Sequence, residues 1–234
     1  MCGRYILGRV EDLSERFLLR DLNLAFSPTF NAAPTQLMPV VLPGDDGRWE
    51  AQLMRWGLLP RWKPRDGGRA PEPINARAET LSERPMFRPL IARRRCLVPA
   101  TGFYEWPQTE HGKQPVVLRP TDQELFGFAG LWDETTGPDG DPVRSFTIVT
   151  GPPNELVAPI HQRMAVILEP GVEAAWLDPD LTDWPEVEQL LRPYPADRME
   201  CFPVSKAVNN TRNDAPSLIE RIDADVSPAT ETQA

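Results

Sequence analysis

Cys2 directly follows Met1, so removal of the methionine leaves an α-amine and a thiol on adjacent carbons. A 1,2-aminothiol of this kind condenses with an aldehyde to a Schiff base and then closes to a five-membered thiazolidine. The amine ordinarily titrates at roughly 7.7–8.0 and the thiol at about 8.5, and a neighbouring cation favours the thiolate further. The alternative, an ordinary small residue near a terminus, is left open by position alone. Cys96 and Cys201 lie in the apolar runs Arg95-Cys96-Leu97-Val98-Pro99 and Glu200-Cys201-Phe202-Pro203-Val204 and read as buried, inert thiols.

Two groups are placed to move protons. His161, in Pro159-Ile160-His161-Gln162-Arg163-Met164, precedes an apolar strand, a position suited to a general acid or base, although a lone histidine can equally be structural. Glu105 sits in the aromatic strand Thr101-Gly102-Phe103-Tyr104-Glu105-Trp106, where desolvation raises a carboxyl and makes it a proton shuttle near neutrality. Its alternative is an edge carboxylate facing water. His111 reads as a turn residue.

Asn75 and Arg77 share a face if Ile74–Thr80 is extended, setting an amide beside a guanidinium, a pair suited to an anionic oxygen such as phosphate. Trp56 and Trp62 bracket Gly57-Leu58-Leu59-Pro60-Arg61. Trp56 reads as core, whereas Trp62, among polar neighbours, reads as an exposed ring able to stack on a base beside Arg61 and Lys63.

The elements that must position these groups are short. One amphipathic helix is predicted over Glu11–Leu19, with Leu13, Phe17 and Leu18 at helical spacing. Strands are predicted at Leu37–Leu42, Glu50–Met54, Cys96–Pro99, Phe103–Trp106, Val116–Leu118, Phe126–Leu131, Phe146–Thr150 and Met164–Leu168. Helical turns are predicted at Pro85–Ala92, Gly171–Leu177, Pro185–Leu191 and Pro216–Ile222. Gly137–Pro142 reads as a hairpin loop and Lys63–Pro73 as a long, mobile polar loop. With 27 prolines and 15 glycines a helical bundle is excluded. The expected architecture is α+β, a single compact domain over residues 1–222 with bent mixed or antiparallel, barrel-like sheets and peripheral helices, followed by a disordered polar tail at 223–234.

Composition narrows the function. Of 234 residues, 41% are hydrophobic and 25% charged, enough for a sizeable core. No apolar stretch long enough for a membrane helix and no secretory signal are present, which points to a cytoplasmic protein. Three cysteines and two histidines without metal-ligand spacing give no reason to expect a disulfide framework, a metal or any other cofactor. The net charge of -9 disfavours nucleic acid, yet residues 51–100 carry eleven Lys/Arg against four Asp/Glu, a basic segment within an acidic chain. For Arg93, Arg94 and Arg95 alone, a solvated strand end is the simpler reading.

Together these residues resemble one family, the SOS-response-associated peptidase (SRAP) proteins, which shield abasic sites in single-stranded DNA by covalent attachment. The resemblance runs from Met1 to about Ile222 through seven ordered landmarks: Met1-Cys2-Gly3-Arg4-Tyr5, Phe30-Asn31-Ala32-Ala33-Pro34, Trp56-Gly57, Asn75-Ala76-Arg77-Ala78-Glu79-Thr80, Gly102-Phe103-Tyr104-Glu105-Trp106, Ile160-His161-Gln162-Arg163-Met164 and Val204-Ser205-Lys206-Ala207-Val208-Asn209. It implies that Met1 is removed, by self-cleavage or by an aminopeptidase, and that Cys2 forms a thiazolidine with the ring-opened deoxyribose. Asn75, Glu105 and His161 then surround the adduct, while Arg4, Arg77 and Arg163, with Asn31 and Trp62, hold a kinked single strand. The implied fold is a single domain of bent sheets around the site, acting as a monomer and associating with the nucleoid when bound to DNA.

The sequence departs from the family pattern in two places. Gln162 and Ala165 stand where Asp and Pro are usual, and Arg61 stands where a second aromatic often accompanies Trp62. Two other functions compete with covalent capture. One is an N-terminal-nucleophile cysteine peptidase or amidohydrolase, with the Cys2 amine or His161 as base; the other is a noncovalent single-strand binder in which Cys2 is incidental.

Overall fold

The computed structural model describes residues 2–20, 24–44, 46–62, 68, 70–137 and 139–224. Met1, most of the expected polar loop at 63–73, and all but the first two residues of the expected tail at 223–234 lie outside the described residues.

Fifteen short strands dominate the described residues: β1 (Tyr5–Leu7), β2 (Thr29–Ala32), β3 (Leu37–Pro43), β4 (Trp49–Trp56), β5 (Asn75–Arg77), β6 (Arg95–Ala100), β7 (Gly102–Glu105), β8 (Gln108–Thr109), β9 (Gly112–Lys113), β10 (Val116–Pro120), β11 (Phe126–Thr136), β12 (Pro142–Gly151), β13 (Met164–Ala165), β14 (Ile167–Leu168) and β15 (Met199–Pro203). The helices are α1 (Leu13–Arg16), α2 (Arg88–Ile91), α3 (Pro170–Leu177) and α4 (Trp184–Glu188). The α+β, barrel-like class expected from the sequence is the class observed.

Strands β12, β4, β3, β6 and β11 pair in that order, and β11 pairs back onto β12, so these five close on themselves. A second sheet runs β15-β10-β7-β1-β2. All six residues of β6 are buried, as expected of a strand covered on both faces. The main core lies between the sheets, where Tyr5 packs edge-on against Trp56 and Phe128 at centroid distances of 5.0 and 6.2 Å. A smaller core, including Ile6, Tyr104, Val117 and Val208, fills the opposite face of the second sheet.

On both edges of β12 the neighbouring strand changes near Phe146–Val149. On one edge β4 pairs through Trp56 with Phe146, and β5 then takes over opposite Ile148 to Thr150. Gly57 makes the exit from β4, with φ at +118° and its N–H donating to the Phe146 carbonyl at 2.9 Å. On the other edge β11 pairs as far as Gly130 with Ile148 and then diverges. Residues 164–168 enter that gap: Val166 donates to Val149 O and accepts from Ala129 N, both at 2.9 Å, with β13 on β12 and β14 on β11. The single strand expected at Met164–Leu168 is therefore two strands either side of a bridging valine.

The helix expected over Glu11–Leu19 is restricted to Leu13–Arg16. Leu18 takes φ at +49° and is 81% exposed, while Leu19 bridges to Trp49, so the chain is pulled out of the helix by a strand contact. Cys201 corrects the expectation of a buried thiol: it is only partly buried, and desolvation still pushes its thiol up to about 11. The expected turn at Pro216–Ile222 is a 3₁₀ turn over Pro216–Ile219. No helix among the described residues is long and apolar enough to cross a membrane.

The exit at Gly57 is a backbone conformation that side chains resist. Gly57→Ala is expected to cost about 1–3 kcal/mol of stability, read as a lowered urea midpoint with an unchanged slope.

Candidate active site

Strand β1 runs antiparallel to β7, with Tyr5 opposite Phe103 and the Tyr104 N–H donating to Arg4 O at 3.0 Å. Continued toward the N-terminus, this register lays Gly3 beside Glu105 and carries Cys2 past the end of β7. Cys2 is fully buried. Its carbonyl accepts from Asn75 Nδ2 at 2.9 Å, whereas Asn75 Oδ1 is buried with no partner among the described residues. Its Sγ makes a weak S–H contact of 3.9 Å to Arg4 O.

Burial first, then the charge of Glu105, push the Cys2 thiol well above the ordinary cysteine range. Of the charges acting on the sulfur, the Glu105 carboxylate outweighs the N-terminal amine, so this environment favours the protonated thiol. Glu105 itself is 6% exposed, beside a fully buried Tyr104, so the reading of a water-facing edge carboxylate fails.

His161 follows the turn Asn154–Ile160, its N–H donating to Val157 O at 2.9 Å. Its Nδ1 lies 2.9 Å from the Arg163 N–H and 3.1 Å from the Arg163 carbonyl. Nδ1 accepts from the Arg163 N–H when it carries no hydrogen and donates to the Arg163 carbonyl when it does, so each tautomer has a partner at that nitrogen. Arg163 ties this segment to Asn75: it donates to Thr150 Oγ1 at 3.2 Å and Thr150 O at 2.6 Å, and the Thr150 hydroxyl reaches Ala76 O at 3.4 Å. Cys2 is thus held by Asn75 and lies under the charge of Glu105, while His161 is tied to β5 through Arg163 and Thr150.

The expected DNA-binding residues behave differently from one another. Arg77 is exposed at the end of β5. Arg163 instead forms a two-point ion pair with Glu79, at 3.1 and 2.9 Å, whose hydrogen bonds, followed by the more distant charge of Arg77, hold the Glu79 carboxyl below its usual range. Arg4 donates to Asn31 Oδ1 at 2.6 Å and Val208 O at 3.0 Å and lies over the Trp106 ring, with its Nε buried and unpartnered among the described residues.

Asn31, expected among the DNA contacts, is placed inside the protein. It is buried, and its Nδ2 is spent on the carbonyls of Val208, Asn210 and Asn213, at 3.2, 3.1 and 2.7 Å. Trp62 is 52% exposed and flanks a cavity of about 340 Å³ lined also by Met86, Leu90, Arg93 and Arg94. Its neighbour Arg61 is engaged in a two-point pair with Asp133, at 2.7 and 2.5 Å. Thr150 and Glu79 were absent from the candidates read from the sequence. Glu79 stood in view two residues from Arg77, but nothing local marks it as the partner of an arginine 84 positions away.

The chain is similar to several known proteins. A family model described as SOS response associated peptidase (SRAP) matches residues 1–211. YoqW of Bacillus subtilis (strain 168), named an abasic site processing protein, is 40% identical over 225 residues, covering 94% of this chain and 99% of that protein. HMCES of Gallus gallus, with the same description, is 33% identical over 232 residues, covering 86% of this chain and 68% of that protein. A solved structure of a protein from Bacteroides thetaiotaomicron superposes with a TM-score of 0.80 at 24% identity, covering 94% of this chain and 98% of that one.

Two outcomes follow from the packing alone. Asn31→Ala removes a fan of buried amide bonds and is expected to cost about 1–3 kcal/mol, with faster amide hydrogen exchange confined to residues 205–214. Glu79→Gln is expected to cost less than about 1 kcal/mol at pH 7, because the carboxylate side of the pair is open to solvent. The Glu79 carboxyl is depressed in the folded state, so its contribution is present above the unfolded value of roughly 4.3 and is lost as pH falls through the folded one. Thermal melts of wild type and Glu79→Gln at pH 7 and pH 3 therefore converge at the lower pH.

Proposed function

The chain belongs to the SOS response associated peptidase family, and on that premise we propose that it processes abasic sites, capturing the ring-opened deoxyribose of single-stranded DNA on Cys2 as a thiazolidine. The observation that carries this reading is the buried Cys2 with its carbonyl held by Asn75 and its thiol under the charge of Glu105. Residues 1–222 form the working unit in this proposal, acting as a monomer in the cytoplasm to shield DNA after damage, with Met1 removed beforehand.

Because the resting sulfur is protonated, the amine acts first. Glu105 takes the proton from the anomeric hydroxyl of the closed sugar and returns it to the ring oxygen, opening the aldehyde. The α-amine of Cys2 adds to the carbonyl carbon, and the carbinolamine loses water to give an imine. The Cys2 S–H then adds across C=N: the S–C bond forms and the proton ends on nitrogen. Asn75 Oδ1, buried and unpartnered among the described residues, is the acceptor for the amine or a sugar hydroxyl. His161 holds the hydroxyl freed by ring opening and protonates the adduct in the reverse, lyase-like direction.

Arg77 and Arg4 take phosphates, and Trp62 stacks on a base. Arg163 takes a phosphate by exchanging it for the Glu79 carboxylate. An amidohydrolase reading is less well supported, since attack on an unactivated amide calls for a thiolate that this environment disfavours.

The experiment is to incubate protein bearing a mature N-terminal cysteine with single-stranded oligonucleotides that contain or lack one abasic site, then denature and resolve retained adduct. Adduct is expected with the abasic strand alone and not with Cys2→Ala. Glu105→Gln should slow its formation by about 10²–10⁴-fold while noncovalent affinity is kept. A heat-stable adduct on Cys2→Ala would overturn the assignment of the nucleophile.

A further inference from the structure

Inside the main core, one polar group is left over by everything described so far. The Tyr5 hydroxyl is buried and has no hydrogen-bond partner among the described residues. Its ring is fully buried, edge-on to Trp56 and Phe128. Phenylalanine would fill the same space without stranding an oxygen, so packing gives no reason for the hydroxyl.

Its position does give one. Cys96, Gly130, Ile148 and Asn75 lie in register as one row across β6, β11, β12 and β5, and so present one face. Phe128 lies two residues from Gly130 on that face. Trp56, paired with Phe146 two residues from Ile148, lies on it too. Tyr5 packs over this surface from the facing sheet, and Asn75 in the same row holds the Cys2 carbonyl. A Cβ at Gly130 would stand 2.8 Å from Cys96 Sγ, so the glycine keeps the space beside that thiol clear. Burial, followed by the neighbouring Cys2 and Cys96, holds the Tyr5 hydroxyl well above the usual phenol range. It is therefore a permanent donor.

We propose that Tyr5 is a positioning residue of the aminothiol, its hydroxyl donating a hydrogen bond to the Cys2 sulfur while that sulfur adds to the imine. This rests on the capture reading above. In the resting state the sulfur has one weak contact among the described residues, its own donation to Arg4 O. As the S–H proton leaves for nitrogen and the S–C bond forms, negative charge gathers on a fully buried sulfur. The Tyr5 O–H supplies a donor, keeps its own proton throughout, and is released unchanged once the ring has closed. The amine step, which comes first, owes nothing to it.

Tyr5→Phe separates the two steps. Cyanoborohydride traps the imine, while mass spectrometry without reductant follows the closed ring, with abasic oligonucleotide in one arm and formaldehyde in the other. Imine trapping is expected at the wild-type rate and ring closure about 10- to 100-fold slower, in both arms, with a urea midpoint equal to or above that of wild type. Closure at the wild-type rate overturns the proposal, and so does equal slowing of both steps, which is the mark of a distorted site. A lowered midpoint overturns the premise that the hydroxyl lacks a structural partner. Wild-type protein that closes a ring on formaldehyde but never on abasic DNA sinks the DNA reading by itself and leaves Tyr5 to be judged on the formaldehyde arm.

Discussion

Strand β12 cannot keep the same neighbours along its whole length, and the site depends on that constraint. Past Phe146 the exit at Gly57 takes β4 away, and past Ile148 the twist of the barrel takes β11 away, so two rows of backbone donors and acceptors need new partners. One row is met by β5, which sets Asn75 and Arg77 in place. The other is met by residues 164–168, which fix the preceding His161 and Arg163. Groups separated by more than eighty positions meet because each hangs from the segment that completes one edge of a single strand. The Thr150 hydroxyl then joins the two sides.

The second sheet brings the nucleophile to that junction. Its inner face is apolar, and Tyr5 and Leu7 are drawn fully into the core. Burial of this kind is usually a reason for a residue to be inert. In the capture proposed above it sets the order of events, because a desolvated thiol next to a carboxylate is a poor first attacker and a good second one. A solvent-exposed aminothiol would react with any aldehyde it met; one recessed beneath Asn75 reacts with those whose approach the surrounding residues allow.

Much of this could be read from the chain, and the failures have physical causes. Long apolar strands such as β6, β11 and β12 announce themselves through composition, and Cys2, Asn75, Glu105 and His161 were all singled out from residue type and landmark order. Strands β1 and β5 have three residues each, too few for any alternation to register, and their strand character is conferred by neighbours. Met164–Leu168 reads as one apolar run because Val166 is as buried as its flanks, although it alone bridges two strands. Pairing of charges was the least legible feature. Arg163, Arg61 and Arg4 look like free cations in sequence, yet their partners, Glu79, Asp133 and Asn31 with Val208, are 84, 72 and 27 to 204 positions away.

The contacts of Arg4 and Asn31 with Val208, Asn210 and Asn213 also bear on how the protein is made. They close the outer wall of the site by joining the beginning of the chain to a segment about two hundred residues later. Loops of that length close slowly, after local structure has formed. While a ribosome is still adding residues up to 213, the strand bearing Cys2 has no such wall, and the arginine beside it has no carbonyl to hold it. Assembly is thus ordered in time: the end bearing Cys2 emerges first and is furnished last, so a nascent or truncated chain carries the proposed nucleophile without its surroundings.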